Sequence, residues 1–183
     1  STPLLTVIIP CYNEKDAVAD TVHSVLSILN KTVDSELIVV DDGSDDGSQD
    51  ILQDLAKQLP RLKIICHEEN RGYGASLKTG IRRAQGELIA ITDADGTYPN
   101  DRIPDLVDKM TDADMVVGSR TGDQVQYSSI RKIPKFFLRR YCQWITGRKI
   151  PDMNSGLRIF SKDVAKRFLH VFPNSFSFTT TIT

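Results

Sequence analysis

Short apolar runs rich in β-branched residues alternate along the chain with longer stretches whose apolar residues recur at helical spacing. The runs predict strands, because a strand that is buried on both faces of a sheet is apolar throughout. The expected strands are 4–9, 36–40, 62–66, 88–91 and 115–117. Strands that alternate with helices in this way are typical of a parallel sheet joined by right-handed crossovers. The pattern therefore predicts an α/β fold with helices on both faces of a mostly parallel central sheet.

Proline and glycine mark the expected ends of these elements. We expect Pro10 to end the first strand and Pro60 to end the second helix. The third helix is expected over 75–84. A polar loop and a short strand are expected within 152–160, and the next helix is expected to begin at 161–163.

Polar clusters follow three of the predicted strands. Residues 12–14 read Tyr-Asn-Glu, residues 41–44 read Asp-Asp-Gly-Ser, and residues 93–95 read Asp-Ala-Asp. In open α/β sheets, ligands bind beyond the carboxyl ends of the strands. We therefore expect the three clusters to form one polar site. The alternative is that they are polar only because they are loops.

Asp93 and Asp95 are candidates for metal binding. Gly96 and Pro99 interrupt the strand that precedes them, so both carboxylates can turn towards one divalent cation. Mg²⁺ or Mn²⁺ accepts one or two such carboxylates and completes its coordination with water and phosphate oxygens. An Asp-x-Asp pair by itself is equally consistent with a polar turn.

Arg120 follows the predicted strand 115–117, which places its guanidinium at the same edge of the sheet. Arginine is suited to bidentate phosphate contacts. The glycine-rich fingerprints of other nucleotide-binding proteins do not occur: there is no Walker motif, and residues 72–74 lack the third glycine of a dinucleotide loop. The sequence therefore argues against P-loop and NAD-dependent proteins.

Charge is distributed unevenly along the chain, although the net charge is only −1. Residues 1–119 hold 11 Lys+Arg and 21 Asp+Glu, a balance of −10, whereas residues 120–183 hold 12 and 3, a balance of +9. Such asymmetry indicates that the C-terminal part meets an anion: phosphate, an anionic membrane surface or nucleic acid. The cations lack a known nucleic-acid-binding motif, so nucleic acid is the weakest of the three.

Residues 131–147 combine cations with large aromatic and aliphatic side chains, and a helix is expected from Pro134. One interpretation is an interfacial helix that docks on anionic lipid. The other is a helix that packs its aromatic face on the sheet. In either case Arg131, Arg139 and Arg140 are available to bind an acceptor phosphate.

The cysteines and the hydropathy bear on localisation. Cys11, Cys66 and Cys142 are odd in number and widely spaced, which favours neither a disulfide framework nor a zinc site. No apolar run approaches the roughly 20 residues that span a bilayer, and the N-terminus lacks the pattern of a signal peptide. The simplest interpretation is a cytoplasmic protein. We expect one domain, 1–183, that is truncated at its C-terminus.

Five ordered motifs resemble those of family 2 glycosyltransferases, which have the GT-A fold. The motifs are VIIPCYNE (7–14), VVDDGS (39–44), NRG (70–72), DAD (93–95) and GSR (118–120). When residues 152–160 are included, the chain is most similar to the group of dolichol-phosphate mannosyltransferases and polyprenyl-phosphate glycosyltransferases.

The resemblance implies roles for individual residues. Asp93 and Asp95 would hold Mg²⁺ or Mn²⁺ on the donor diphosphate, and Arg120 and Arg131 would contact phosphate or sugar. These four are the expected catalytic residues. The chain departs from the mannosyltransferases at Thr97, where they have a glutamine that helps to bind the metal. The expected nucleotide-binding residues are Pro10, Tyr12, Glu14, Val40, Asp42 and Ala94.

The activity implied by the resemblance is metal-dependent, inverting transfer of a sugar from a UDP- or GDP-sugar to a polyprenyl (dolichyl or undecaprenyl) phosphate. Peripheral contact at the cytoplasmic face of the membrane would follow from that acceptor. Two alternatives stay open: transfer to a saccharide hydroxyl, and a nucleotide-sugar-binding module without turnover. A phosphate acceptor is modestly favoured, because its oxygen is already anionic and needs little help from a general base.

Overall fold

The computed structural model describes residues 4–32, 34–118 and 155–182. They contain a six-stranded sheet of order β3-β2-β1-β4-β6-β5, in which β1 to β4 are parallel and β6 is antiparallel to both β4 and β5. The mostly parallel α/β architecture predicted from the sequence is thereby confirmed. The strands are β1 Leu5–Cys11, β2 Ser35–Asp41, β3 Leu62–Cys66, β4 Leu88–Ile91, β5 Met115–Val117 and β6 Arg158–Ser161.

Helices cover both faces of this sheet. Side chains of β1 alternate between two buried clusters: Val7 and Ile9 join one cluster, and Ile8 joins the other. Helices α1, α2 and α4 contribute to the first cluster, and α3, α5 and α6 to the second. The helices are α1 Val18–Thr32, α2 Ser48–Gln58, α3 Tyr73–Arg83, α4 Ile103–Asp108, α5 Lys162–Phe168 and α6 Phe178–Ile182, with 3₁₀ turns at Asn100–Arg102 and Lys109–Asp112.

Strand β1 runs through Pro10 to Cys11, so the prediction that Pro10 ends the strand is wrong. Peptide groups alternate in direction along a strand, and the carbonyl of Ile8 accepts a hydrogen bond from Thr92, on the side of β4. The nitrogen of Pro10 therefore faces the same side. Paired residues on β4 end at Ile91, opposite Ile8, so the missing N–H of Pro10 breaks no ladder bond.

Helix α3 begins at Tyr73, two residues before the predicted start. Its first turn is completed by a distant part of the chain, since the Ala75 N–H donates to the carbonyl of Asn174 at 3.2 Å. Gly72, with φ of 98°, precedes the helix, and a Cβ there would lie 2.5 Å from the same carbonyl. The N–H groups of Ala75 and Ser76 also donate to the local Gly72 carbonyl, at 2.9 and 3.1 Å. The early start thus combines a local turn at Gly72 with a contact to a segment about 100 residues away, which local periodicity does not encode.

The helix expected within 131–147 lies outside the described residues. In the part of the chain that the structure describes, no helix combines the length and the apolar character needed to cross a membrane.

Candidate active site

The carboxyl ends of β1, β2 and β4 open into a cleft of about 360 Å³, which we call the acidic cleft. All three predicted polar clusters contribute to its wall, so the expectation that they meet in one place is confirmed. The lining residues are Pro10, Cys11, Tyr12, Glu14, Asp42, Asn70, Gly72, Tyr73, Ser76, Asp93, Ala94, Asp95 and Phe176.

The turn after β1 is held by the turn after β2. Asn13 adopts a φ of 56°, and its backbone N–H donates to the Ser44 hydroxyl at 2.9 Å. The side chain of Asn13 and Asp45 exchange two hydrogen bonds of 2.9 and 3.0 Å. The Glu14 N–H donates to the Ser48 hydroxyl at 3.0 Å. These bonds fix the loop that carries Tyr12 and Glu14 into the cleft.

Burial and nearby carboxylates raise the pKa of two side chains in the cleft, Glu14 and Cys11. Burial, followed by the carboxylates of Asp95 and Asp46, raises the pKa of Glu14 above its ordinary value. Burial, followed by Asp41 and Glu14, raises the pKa of the Cys11 thiol to about 12, so this cysteine remains a thiol and is a poor nucleophile. Both shifts indicate a negative potential that a bound cation would relieve.

Asp42 anchors the wall opposite this turn. Its Oδ1 accepts from the Arg71 N–H at 3.0 Å, and its Oδ2 accepts from the Gly72 N–H at 2.8 Å. The Nδ1 of His67 lies 2.6 Å from Oδ1, and its Nε2 lies 3.0 Å from the Thr79 hydroxyl. Because its side chain is only 4% exposed, Asp42 serves the cleft largely by shaping the loop at 70–72.

Asp93 is positioned by groups from two other parts of the chain. The Tyr73 hydroxyl donates to its Oδ1 at 2.9 Å. On the other side, a Cβ added to Gly156 would lie 2.6 Å from Oδ2, so a larger residue there would displace the carboxylate. The Gly156 N–H in turn donates to the Tyr98 hydroxyl at 2.7 Å. Burial, followed by the Asp93 carboxylate, raises the pKa of Tyr73 well above its ordinary value.

Asp95 is exposed, and residues of its own turn orient its carboxylate. Its Oδ1 accepts from the Thr97 N–H at 3.0 Å and from the Thr97 hydroxyl at 2.8 Å. The Thr21 hydroxyl of α1 donates to the carbonyl of Ala94 at 2.9 Å, and Gly96 takes a φ of 70°. Among the described residues, no group donates to Oδ2 of Asp95, which leaves that oxygen facing solvent or a ligand.

These donors fit a divalent cation of the Mg²⁺ or Mn²⁺ type. Within the described ranges, no three His, Cys, Asp or Glu side chains cluster to make a metal cage. Mg²⁺ does not require one, because it is usually held by one or two carboxylates together with water and substrate phosphates. Asp93 and Asp95 supply two carboxylates beside a third, Glu14, in one open cleft. The residues present therefore suit a cation that is completed by a phosphorylated ligand.

Arg158 was not singled out as a site residue by the sequence. It is fully buried in β6 and donates to the carbonyls of Ser155, at 2.6 and 3.1 Å, and Thr179, at 2.8 Å. Its charge opposes the rise in the pKa of Tyr73, which places it near the cleft electrostatically. The sequence feature that could have identified Arg158 is its position as a lone arginine inside an apolar strand. Arginine is rarely fully buried unless it is paired.

Tyr73 and Phe176 were also missed. Their rings stack with centroids 5.1 Å apart and an interplanar angle of 19°, and both rings line the cleft. Phe176 is 78% exposed, which is unusual for a phenylalanine in a fixed contact. Nothing in the local sequence relates the two residues, so only the folded chain reveals the pair.

Val40 is fully buried in the cluster between the sheet and α3, because its side chain points into the core from β2. It is not among the residues that line the cleft. Its role in nucleotide binding stays a prediction. Arg120 and Arg131 lie outside the described residues.

The fold and the cleft together define a GT-A glycosyltransferase fold. A solved structure with this fold is the mannosyltransferase PcManGT from Pyrobaculum calidifontis in complex with GDP-Man and Mn²⁺. The two superpose with a TM-score of 0.68 at 25% identity, over 95% of this chain and 48% of that chain.

The family model "Glycosyl transferase family 2" matches residues 6–169, so the chain belongs to this family. One similar protein is the undecaprenyl-phosphate 4-deoxy-4-formamido-L-arabinose transferase of Photorhabdus laumondii, with 33% identity over 93% of this chain and 53% of the relative. Another is the dolichyl-phosphate beta-glucosyltransferase of Dictyostelium discoideum, with 27% identity over 92% of this chain and 56% of the relative. The chain thus spans about half the length of these relatives.

Proposed function

We propose that the chain is the catalytic domain of a metal-dependent, inverting glycosyltransferase. It would move a sugar from a nucleotide-diphosphate sugar to a polyprenyl phosphate. The observation that carries the proposal is the convergence of Asp93 and Asp95 with the turns after β1 and β2 in one cleft of about 360 Å³. Such a cleft is large enough for part of a nucleotide sugar, and its two carboxylates suit a cation bound to a diphosphate.

The donor nucleotide, a UDP- or GDP-sugar, lies in this proposal along the wall made by Pro10 and Tyr12, with Ala94 close to it. Tyr12 is 45% exposed, so its ring is free to pack on a base or ribose. Asp42 holds the opposite wall through the backbone at 70–72 and contributes little open carboxylate surface. The GDP-Man and Mn²⁺ bound by PcManGT support this arrangement.

Asp93 and Asp95 would hold the cation, Mg²⁺ or Mn²⁺, against the donor diphosphate. When bound, the cation neutralises charge that develops on the leaving diphosphate. Arg120 and Arg131, which lie outside the described residues, are proposed to contact phosphate or sugar from the basic C-terminal part of the chain.

The acceptor is proposed to be a polyprenyl phosphate. Its anionic oxygen attacks the anomeric carbon as the bond to the nucleotide diphosphate breaks, and this single displacement inverts the configuration. The acceptors named for the similar transferases, undecaprenyl phosphate and dolichyl phosphate, support this choice. A lipid acceptor would also place the protein against a membrane, with the cytoplasmic face as the proposed side.

A saccharide hydroxyl is the second candidate acceptor. The observation in its favour is Glu14, a carboxylate in the cleft whose pKa is raised by burial and by Asp95. A hydroxyl acceptor needs a general base, and a raised pKa makes a carboxylate a better one.

The test has two parts. Titration of the chain with UDP- and GDP-sugars should show binding that requires Mn²⁺, and transfer of labelled sugar should occur to polyprenyl phosphate and not to oligosaccharides. Transfer only to oligosaccharides would establish the second candidate, and Mn²⁺-dependent binding without any transfer would establish a binding module.

We predict that Asp95→Ala abolishes Mn²⁺-dependent nucleotide binding, because it removes one of the two carboxylates available to the cation. The measurement is calorimetric titration of a nucleoside diphosphate with and without Mn²⁺. Asp108→Ala is the matched control, since Asp108 is exposed at the end of α4 and is not among the cleft residues. Equal nucleotide affinity with and without Mn²⁺ in the wild-type chain would overturn the metal assignment.

A further inference from the structure

Tyr73 connects the candidate metal site to two other parts of the molecule. It is the first residue of α3, its ring lines the acidic cleft, and its hydroxyl donates to Oδ1 of Asp93 at 2.9 Å.

The ring of Tyr73 is itself held in place. Phe176 stacks on it with a centroid separation of 5.1 Å. The chain just before Phe176 is fastened to the first turns of α3, because Asn174 accepts from the Ala75 N–H at 3.2 Å and from the Lys78 ammonium at 2.7 Å. The position of the tyrosine ring is therefore supported both by α3 and by residues 174–176.

The two candidate metal carboxylates differ in how they are held. Asp95 is exposed and is bonded by Thr97 within its own turn. Asp93 is contacted by residues outside its turn: Tyr73 donates a hydrogen bond to Oδ1, and the backbone at Gly156 passes close to Oδ2. Among the described residues, distant segments of the chain contact Asp93, whereas the hydrogen bonds to Asp95 come from its own turn.

We propose that Tyr73 is a positioning residue for the metal site: its hydroxyl fixes the Asp93 carboxylate in the orientation that binds the divalent cation, and Phe176 holds the ring that carries the hydroxyl. This inference rests on the proposed function, because it takes Asp93 as a metal ligand. Hydrogen-bond partners of metal-ligating carboxylates orient them, and their loss typically weakens metal binding 10- to 100-fold. A hydroxyl that only satisfies a half-buried carboxylate would not affect metal affinity selectively.

Tyr73→Phe tests the inference, because it removes the hydroxyl and keeps the ring that stacks on Phe176. Mn²⁺ binding is followed by electron paramagnetic resonance in the presence of saturating UDP or GDP, at a temperature where circular dichroism shows both proteins folded. We expect Mn²⁺ affinity to fall about 10-fold or more. Affinity for the nucleotide at saturating Mn²⁺ should stay at the wild-type value.

Phe176→Leu is the second variant, since it removes the stack and leaves the hydroxyl. It should weaken Mn²⁺ binding in the same direction and by less than Tyr73→Phe. Phe168→Leu is its matched control, because Phe168 is also exposed, at 53%, and is not among the cleft residues. Mn²⁺ affinity in the control should equal that of the wild type.

The outcomes separate this inference from the proposed function. Wild-type Mn²⁺ affinity in Tyr73→Phe, or a loss of nucleotide affinity that saturating Mn²⁺ does not restore, would overturn the positioning role and leave the proposed function standing. A wild-type chain that binds no Mn²⁺ even with nucleotide would overturn the proposed function, and the inference with it.

Discussion

At Gly156 the backbone passes directly beside the Asp93 carboxylate. A Cβ there would lie 2.6 Å from Oδ2 and 3.0 Å from Cγ, well inside van der Waals contact. We predict that Gly156→Ala displaces the carboxylate, weakens Mn²⁺-dependent nucleotide binding about 10-fold, and lowers the free energy of unfolding by about 1–3 kcal/mol. Calorimetric titration and urea denaturation measure the two effects.

Gly47→Ala is the matched control for this prediction. Gly47 has a φ of 99° and no atom within 4 Å of an added Cβ, so alanine there strains the backbone without crowding a neighbour. The strain costs about 1–2 kcal/mol, which is similar to the stability effect expected at Gly156. Loss of Mn²⁺-dependent binding in Gly47→Ala as well would show that general destabilisation, and not displacement of Asp93, causes the effect.

At the scale of elements, Glu36 joins strands at the end of the sheet opposite the cleft. Its Oε1 accepts from the Thr6 hydroxyl of β1 at 2.7 Å and from the Gln85 N–H before β4 at 2.6 Å. Its Oε2 accepts from the Lys63 ammonium of β3 at 2.5 Å. One carboxylate on β2 therefore links three neighbouring segments of the sheet.

We predict that Glu36 makes the chain sensitive to acid. Burial opposes its ionisation, but hydrogen bonds from Lys63, Gln85 and Thr6 outweigh that effect and hold its pKa below the ordinary value of 4.5. A pKa that is lowered by folding contributes stability above the ordinary value, and this stability is lost as the pH falls through the folded-state pKa. Glu36→Gln should therefore be less stable than wild type at pH 7, by about 1–3 kcal/mol.

The difference between Glu36→Gln and wild type should shrink as the pH falls from 4.5 through the lower folded-state pKa, because Glu36 then becomes neutral as well. Urea denaturation from about pH 7 to pH 3 measures it. Glu69→Gln provides a control from an exposed glutamate on the loop after β3. A constant difference between Glu36→Gln and wild type across this range would show that the network does not depend on the charge of Glu36.

The elements that could be predicted from sequence are those with local causes. Strands β3, β4 and β5 have the expected bounds, because each reads as a short apolar run with clear breaks. The path of β1 through Pro10 could not be predicted, because it depends on where β4 stops pairing. At the start of α3, Asn174, about 100 residues later in the chain, is a second acceptor for the Ala75 N–H, and local periodicity does not predict that contact.

The candidate site divides in the same way. The turns carrying Glu14, Asp42 and Asp93 were predicted to meet, because strand ends in a parallel sheet share one edge. The parts that orient them were not predicted: Tyr73 and Phe176 come together only through packing of distant segments. Sequence identifies the groups with the chemistry, and the folded chain adds the contacts that hold them.

At the scale of the whole molecule, acidic groups are concentrated where a phosphorylated donor is proposed to bind. Residues 1–119 hold 11 Lys+Arg against 21 Asp+Glu, a balance of −10, and four of their carboxylates, Glu14, Asp42, Asp93 and Asp95, line one cleft. A diphosphate would be repelled by that cleft without a cation between them. Dependence of donor binding on a divalent metal therefore follows from the charge distribution as well as from the Asp-x-Asp pair.

Glu14 reports on this charge, because burial and then Asp95 and Asp46 raise its pKa above 4.5. A pKa raised by folding favours the folded chain when the group is protonated, and this contribution is lost as the pH rises through the folded-state value. We predict that Glu14→Gln raises the unfolding temperature of the metal-free chain at pH 7 and leaves it unchanged near pH 4. Glu87→Gln is the control, because Glu87 is exposed and is not among the cleft residues, and it should change the unfolding temperature at neither pH.

Mn²⁺ with nucleoside diphosphate at 100 times its Kd should stabilise the wild type by about 2.7 kcal/mol, or roughly 5–10 °C, in a thermal-shift measurement that EDTA reverses. Equal stabilisation by the nucleotide in EDTA would contradict the view that the cleft requires a cation.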